Sequence, residues 1–345
     1  MIFPFATRLH AATGFVLTAL CAICVVGCGS SSDEPRQVVT LYCSVDEPFA
    51  REVVAAFEKT SGIRVQLKID NEAGKTTGLV RRIEAEHENP VADVFWSSEI
   101  FKTILLGEQG MLAEYRPPAD GIPEEFKDPD GRWTAFGLRA RVIAYNINLV
   151  NEEDLPRTWE AIADERWTER IGLADPRFGT TRGHFAAMLA LWGEERYKRF
   201  LQSMYFSIKG RPLDGNATAA RLVGAGSLDL CATDTDDVFV RQDRGDPIRL
   251  TYPDMGDGGT LLIPNTVGLI ANAPHPEPAR TLINFLTSSQ VEEMLAKSTS
   301  RNIPVRAELR EAMDIELPPQ SKLSYKQAAS EMNRAIELVT KHLLQ

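Results

Sequence analysis

The stretch LCATDTDDVF, residues 230–239, ends an apolar, strand-like run and then places Asp234, Asp236 and Asp237 within four positions. Carboxylates so spaced suit three chemistries. They can hold a hard cation through oxygen, supply the nucleophile and acid of a secreted Asp-x-Asp Mg-dependent phosphatase, or cap a helix. An EF-hand loop is excluded, because its sixth position counted from Asp234 is Phe239, where the turn needs glycine. A phosphatase also needs a downstream lysine and a further acidic pair on magnesium, which the residues after Asp237 do not supply in recognisable form. Side chains alternate along an extended segment, so Asp234 and Asp236 point together. Asp237 turns away and is placed to cap the helix that VFVRQD begins.

A second candidate lies in DPRFGTTRGHFAAM, residues 175–188. Gly179, Thr180 and Thr181 immediately precede an apolar-periodic helix, whose exposed N–H groups and dipole suit an anion. A plain threonine N-cap is the competing reading. The turn DGNAT (214–218) offers Asn216 as a polar contact or an N-cap. His184 falls in the first turn of the helix after Gly179, near any site built there, whereas His87 and His275 are isolated. Tyr42, Trp96 and Trp133 read as core residues. No nucleophile elbow, HExxH or Walker loop appears.

The elements that position these residues alternate strand and helix. QVVTLYCS (37–44) is a strand, EPFAREVVAAFEK (47–59) a helix ending at Gly62, and IRVQLKI (63–69) a second strand. A helix over 78–88 and a buried strand over 91–97 follow, and this alternation argues a parallel sheet with helices on both faces. RARVIAYNINLV (139–150) reads as a crossing into a second α/β unit. That unit contains strands at 171–176 and 228–233 and helices at 181–192 and 197–205. GTLLIPNTVGLI (259–270) reads as the return crossing, followed by a helix over 276–288 and one long amphipathic helix from Tyr325 to Leu344. Two units joined by two crossings imply a hinged pair of lobes with a ligand site between them.

The N-terminus adds a destination. Residues 11–26 form an apolar run too short for a comfortable membrane span, with the anatomy of a signal peptide over residues 1–27. The run ends in Val25-Val26-Gly27-Cys28, which resembles a lipobox, so Cys28 is the expected lipidation site and residues 28–36 a polar tether. The expected location is the periplasm or the outer face of the cytoplasmic membrane, held by lipid alone. Of five cysteines among 345 residues, only Cys43 and Cys231 then stay in the folded part, expected as buried free thiols. A net charge of −10 argues against nucleic acid as a partner.

In combination, LYCSVDEPFAREVVAAFEKTSGIRV, ADVFWSSE, GLRARVIAYN, LADPRFGTTRGH, DGNATAARLVGAGSLDLCATDTDD and IPNTVGLI resemble the ferric-iron-type extracellular solute-binding proteins of ABC importers. The resemblance covers nearly all of residues 37–305. It implies a type II two-lobed periplasmic-binding-protein fold, no catalysis, and a monomer that delivers a solute to an ABC permease. Lobe one is expected over 37–138 plus 264–310, and lobe two over 139–263 plus 311–345. In the iron binders an acid follows the third strand and paired tyrosines from the second lobe grip Fe(III). Here the first-strand position falls on Asp46, the acid position on Ser98 with Glu99 beside it, and the tyrosine position on Asp234–Asp237, with no tyrosine. The resemblance thus implies Asp46, Glu99, Asp234 and Asp236 as metal ligands, with Asp237 beside them. It also implies an anion pocket for carbonate or phosphate at Gly179, Thr180, Thr181 and Asn216. An acidic patch facing an anion pocket also suits a phosphonate or phosphorylated zwitterion, or a divalent metal.

Overall fold

The computed structural model describes residues 37–69 and 75–344; the signal segment, Cys28 and the tether lie outside the described residues. The first half of the chain runs β1 (Val38–Cys43), α1 (Glu47–Ser61), β2 (Arg64–Ile69), α2 (Lys75–Ala85), β3 (Val94–Ser97), α3 (Ile100–Glu108), β4 (Leu112–Ala113) and the long β5 (Thr134–Asn146). Next come β6 (Ile171–Leu173), α4 (Gly179–Trp192), α5 (Glu194–Ile208), α6 (Asn216–Gly224), β7 (Leu230–Asp234), α7 (Thr235–Asp243) and β8 (Ile248–Thr251). The chain ends with β9 (Leu262–Ile270), α8 (Pro276–Leu286), α9 (Ser289–Lys297), α10 (Ala307–Ala312), α11 (Tyr325–Ser330) and α12 (Met332–His342).

Local chemistry sets the boundaries of α1. Pro48 pre-sets φ in its first turn, and Gly62 ends it at φ 73°, donating its N–H to the Glu58 carbonyl. Ala50, Val53, Val54 and Phe57 form its buried stripe, packed with Val39, Leu41 and Cys43 of β1. β1 pairs in parallel with both β2 and β3, as the alternation predicts. β9 then inserts antiparallel against β3, so the sheet is mixed.

The strand order β2-β1-β3-β9-β5-β7-β6 makes β5 the element shared by two sheet halves. Its residues 134–140 pair with β9, and residues 141–146 pair with β7 and β8. β5 is buried along its whole length and begins before the crossing expected from Arg139. The result is the two-lobed α/β architecture of periplasmic binding proteins. Cys43 and Cys231 are buried and free, and Tyr42, Trp96 and Trp133 are core residues.

One expectation fails in detail. The C-terminal helix is two helices, α11 and α12, broken at Glu331. α11 packs on α3 and α4, while α12 packs on α4 and α5, so the chain must turn to follow two different surfaces. Helix continuity gives way to burial of Ala328, Ala329, Met332 and Ala335.

Candidate functional site

Asp234 is the last residue of β7 and precedes α7. The antiparallel register sets it directly opposite Arg141 of β5. Arg141 is fully buried, and its Nη1 donates to Asp234 Oδ1 at 2.8 Å. Asp234 Oδ2 accepts from the Thr180 hydroxyl at 2.6 Å and from Asn216 Nδ2 at 3.2 Å. Two residues earlier on the same strand face, Arg139 donates from Nη1 to Asp236 at 2.8 Å and lies 3.4 Å from Asp234. Its Nη2 donates to the Ser98 carbonyl, at the end of β3, at 2.6 Å.

Burial pushes the Asp234 carboxyl up, but the Arg141 and Arg139 guanidiniums outweigh it and hold the group below the usual carboxylate range. Asp236 goes the other way. Burial raises it, the neighbouring carboxylates of Asp234 and Asp46 add to the rise, and Arg139 offsets only part of it. Asp237 reaches back, accepting from the Thr233 hydroxyl at 2.7 Å and from the Asp234 backbone N–H at 3.4 Å.

Arg139, Asp234, Asp236 and Asp237 line a small cavity of about 50 Å³, shared with Asp46, Ser98, Gly179, Thr180, Thr181 and Asn216, with Arg141 behind them. The N-termini of α4, α6 and α7 all meet it. Phe178 and Gly215, at the N-cap positions of α4 and α6, place no side chain on the first-turn N–H groups. The threonines are not N-caps. Thr180 bonds to Asp234, and Thr181 donates to Asn216 Oδ1 at 3.1 Å. Uncapped N–H groups and the helix dipoles leave the cavity receptive to an anion. Gly179 adopts φ 54°, the left-handed conformation that admits the tight entry into α4.

Of the residues named from the sequence, Asp46, Thr180, Thr181, Asn216, Asp234, Asp236 and Asp237 line the cavity. Ligand oxygens of Asp234, Asp236 and Asp237 all lie within 4.8 Å of one another. Glu99 does not join them. It is the N-cap of α3, where its buried carboxylate accepts from the Phe101 N–H at 2.7 Å and the Lys102 N–H at 3.2 Å. Burial raises it to about 7 in spite of those bonds. Ser98 stands at the cavity in its place.

Arg139 and Arg141 are the residues that sequence reasoning missed. The available signal was two arginines spaced by two inside a run of strand-formers. That spacing puts two charges on one face of a strand, and charges in a buried strand must be paired. His184 is also placed by the fold. It is fully buried, its Nδ1 lies 3.4 Å from Arg141 Nε, and its ring meets Trp159 edge-on at 4.1 Å between centroids.

A two-lobed fold with a polar cavity where strand ends and helix N-termini converge defines a solute-binding protein. The chain belongs to the bacterial extracellular solute-binding protein family, whose profile matches residues 88–329. Among its relatives is iron uptake protein A1 of Synechocystis, 26% identical over 86% of each chain. A putative 2-aminoethylphosphonate-binding periplasmic protein of Salmonella typhi is 23% identical over 85% of this chain and 86% of its own. In structure, the ferric binding protein from Campylobacter jejuni superposes with a TM-score of 0.78 at 19% identity, over 88% of this chain and 98% of that one.

Proposed function

We propose that this chain captures ferric iron together with a small anion and delivers the pair to an ABC permease. One observation carries the reading: three carboxylates gathered within 4.8 Å stand beside the uncapped N-termini of α4 and α6. Fe(III) is a hard cation that takes carboxylate oxygen, and the helix N-termini suit carbonate or phosphate. The name of the Synechocystis relative supports the same cargo. Arg139, which now balances Asp236, would exchange that carboxylate for the anion as the cation arrives. The working motion is hinge bending of lobe one (37–138 plus 264–310) against lobe two (139–263 plus 311–345). The change of partner along β5 between Ala140 and Arg141 supports a hinge there. Export as a lipoprotein through Cys28 and a monomeric state complete the reading. No helix among the described residues is long and apolar enough to cross a membrane.

The test is elemental analysis and native mass spectrometry of protein purified without chelator. A thermal-shift panel then compares Fe(III) with carbonate or phosphate, divalent metals, phosphonates and sugar phosphates. Iron with the protein and stabilisation by the ferric pair support the reading; stabilisation by a phosphonate alone defeats it. That second ligand is favoured by one observation: Arg139 and Arg141 already neutralise Asp234 and Asp236. A zwitterion would place its phosphonate on the helix N-termini and its ammonium on the remaining acids. The name of the Salmonella relative supports this second ligand.

Catalysis by Asp234 is disfavoured, because both its oxygens are already engaged by Arg141, Thr180 and Asn216. The family is one of substrate-binding proteins. Magnesium-dependent turnover of a phosphomonoester, abolished by Asp234→Asn, is the result that would reverse this.

A further inference from the structure

Away from the acids and arginines of the site, a single side chain joins elements that a wide space otherwise separates. That space, about 730 Å³, is lined by Phe49 of α1 and Thr299, just after α9, together with Ala217 of α6 and Val240 of α7. Two residues past Thr299, Arg301 reaches α7. Its guanidinium pairs with Asp243, the last residue of that helix, and stands 5.0 Å from the centre of the Phe239 ring.

The backbone of Arg301 belongs to the α9 side. Its N–H donates to the Ser298 carbonyl at 3.0 Å, and the next N–H, that of Asn302, donates to the Leu295 carbonyl at 3.3 Å. Ser300 and Asn302, on either side of it, are buried. Ile303 exchanges backbone hydrogen bonds with Leu138 of β5 at 2.8 and 2.6 Å, just before β5 changes partner between Ala140 and Arg141. The contact therefore has its foot on one side of the proposed hinge and its head on the other. Arg301 also holds φ at 45°, a left-handed conformation that strains an arginine and costs glycine nothing. Glycine would satisfy that backbone fully, so the strain is offset by what the arginine side chain reaches.

The energies involved are small. Both partners of the ion pair are exposed; such a pair contributes little and is screened by salt. A cation–π contact adds a comparable amount. Sums of this size do not build a fold, but they tilt a balance between two conformations of similar energy.

We propose that Arg301 is a clasp: by holding the segment after α9 to α7, it biases the two lobes towards closure before solute arrives. Removing it lowers the closed-to-open ratio roughly tenfold, and apparent affinity falls with the population able to hold solute. High salt weakens the clasp in the same direction. This inference rests on the hinge bending given above and is independent of which solute is carried.

The experiment is small-angle X-ray scattering of the solute-free mature protein in low and high salt, comparing wild type with Arg301→Gly and Asp243→Asn. Glycine accepts the left-handed backbone, so Arg301→Gly should keep the wild-type unfolding midpoint, which is measured first. In low salt Arg301→Gly should be more expanded than wild type, with Asp243→Asn shifted in the same direction but less, because the Phe239 contact remains. High salt should bring wild type towards the variants. Ferric iron with bicarbonate is then added to each protein. An Arg301→Gly profile that matches wild type before the addition overturns the clasp. If that variant nevertheless compacts on the addition, the hinge stands without it; if no profile changes under any condition, clasp and hinge fall together.

Discussion

Two buried arginine–carboxylate systems sit in this molecule, and they are built differently. Arg306 pairs with the fully buried Glu292, and its remaining donors go to the Thr287 and Asp120 carbonyls at 2.8 Å each. Nothing is left over: neither residue has a buried polar atom without a partner. The cluster of Arg139, Arg141, Asp234 and Asp236 is as deeply buried but incompletely bonded. Arg139 Nε, Arg141 Nη2, Asp236 Oδ1 and, beside them, His184 Nε2 are buried without hydrogen bonds. Each such orphan costs about 1–3 kcal/mol, and four of them gather in this one cluster. The difference separates a rivet from a receptor.

The sharpest way to break this comparison is to remove one carboxylate from each system. Asp234→Asn and Glu292→Gln should each destabilise by about 3–5 kcal/mol, because each leaves a buried guanidinium uncompensated. Urea unfolding measures that loss. Solute binding should vanish only in Asp234→Asn, while Glu292→Gln keeps wild-type affinity below its unfolding transition. Equal loss of binding in both would erase the distinction.

Glu99 is a further buried acid, and pH sorts it. Its carboxyl is raised to about 7 from an ordinary 4.5, chiefly by burial. Between those values the native state holds a proton that the unfolded chain has released. Stability is therefore lost as pH rises from about 4.5 to about 7, by about 3 kcal/mol. Glu99→Gln should flatten this part of the stability–pH profile, measured by urea unfolding at several pH values, and leave solute affinity within about twofold, because its carboxylate is spent on the N-terminus of α3. A large loss of affinity would move Glu99 back into the receptor.

How much of this was legible in the sequence follows from the range of the forces involved. The strand–helix alternation was readable because period and caps are local, as at Pro48 and Gly62. The acidic strand end and the GTT turn were readable for the same reason. The Arg139–Asp236 and Arg141–Asp234 pairs join residues about a hundred positions apart and depend on the β5–β7 register, which no local pattern specifies. Glu99 was misplaced by a single position. The helix IFKTILL that follows it was the cue that its carboxylate would be spent on backbone N–H groups. The break at Glu331 had no glycine or proline to announce it.

Asp236→Asn tests the orphan oxygen itself. Arg139 would keep its bond to Ser98 and its proximity to Asp234, so the expected stability cost is only about 1 kcal/mol. A cation-bearing solute would lose a charged ligand, and calorimetry should show affinity reduced at least about tenfold. If affinity is unchanged, Asp236 belongs with Glu292 as a structural acid.

The smallest effect is expected at His184, which touches the receptor only through Arg141. Burial and the Arg141 charge hold its pKa well below the usual 6.5, so it stays neutral in the fold while the unfolded chain gains a proton below that value. This contribution is present above pH 6.5 and lost as pH falls, opposite in sign to that of Glu99. His184→Phe keeps the ring against Trp159 and removes the acceptor for Arg141 Nε. Because that bond is long, at 3.4 Å, the cost at pH 8 should be about 1 kcal/mol. The acid-side decline in stability should become shallower, and affinity should fall only a fewfold. A double-mutant cycle with Asp234→Asn decides whether His184 acts through Arg141: additive losses would place it in the core alone, whereas a coupling above about 0.5 kcal/mol would make it a positioning residue of the receptor.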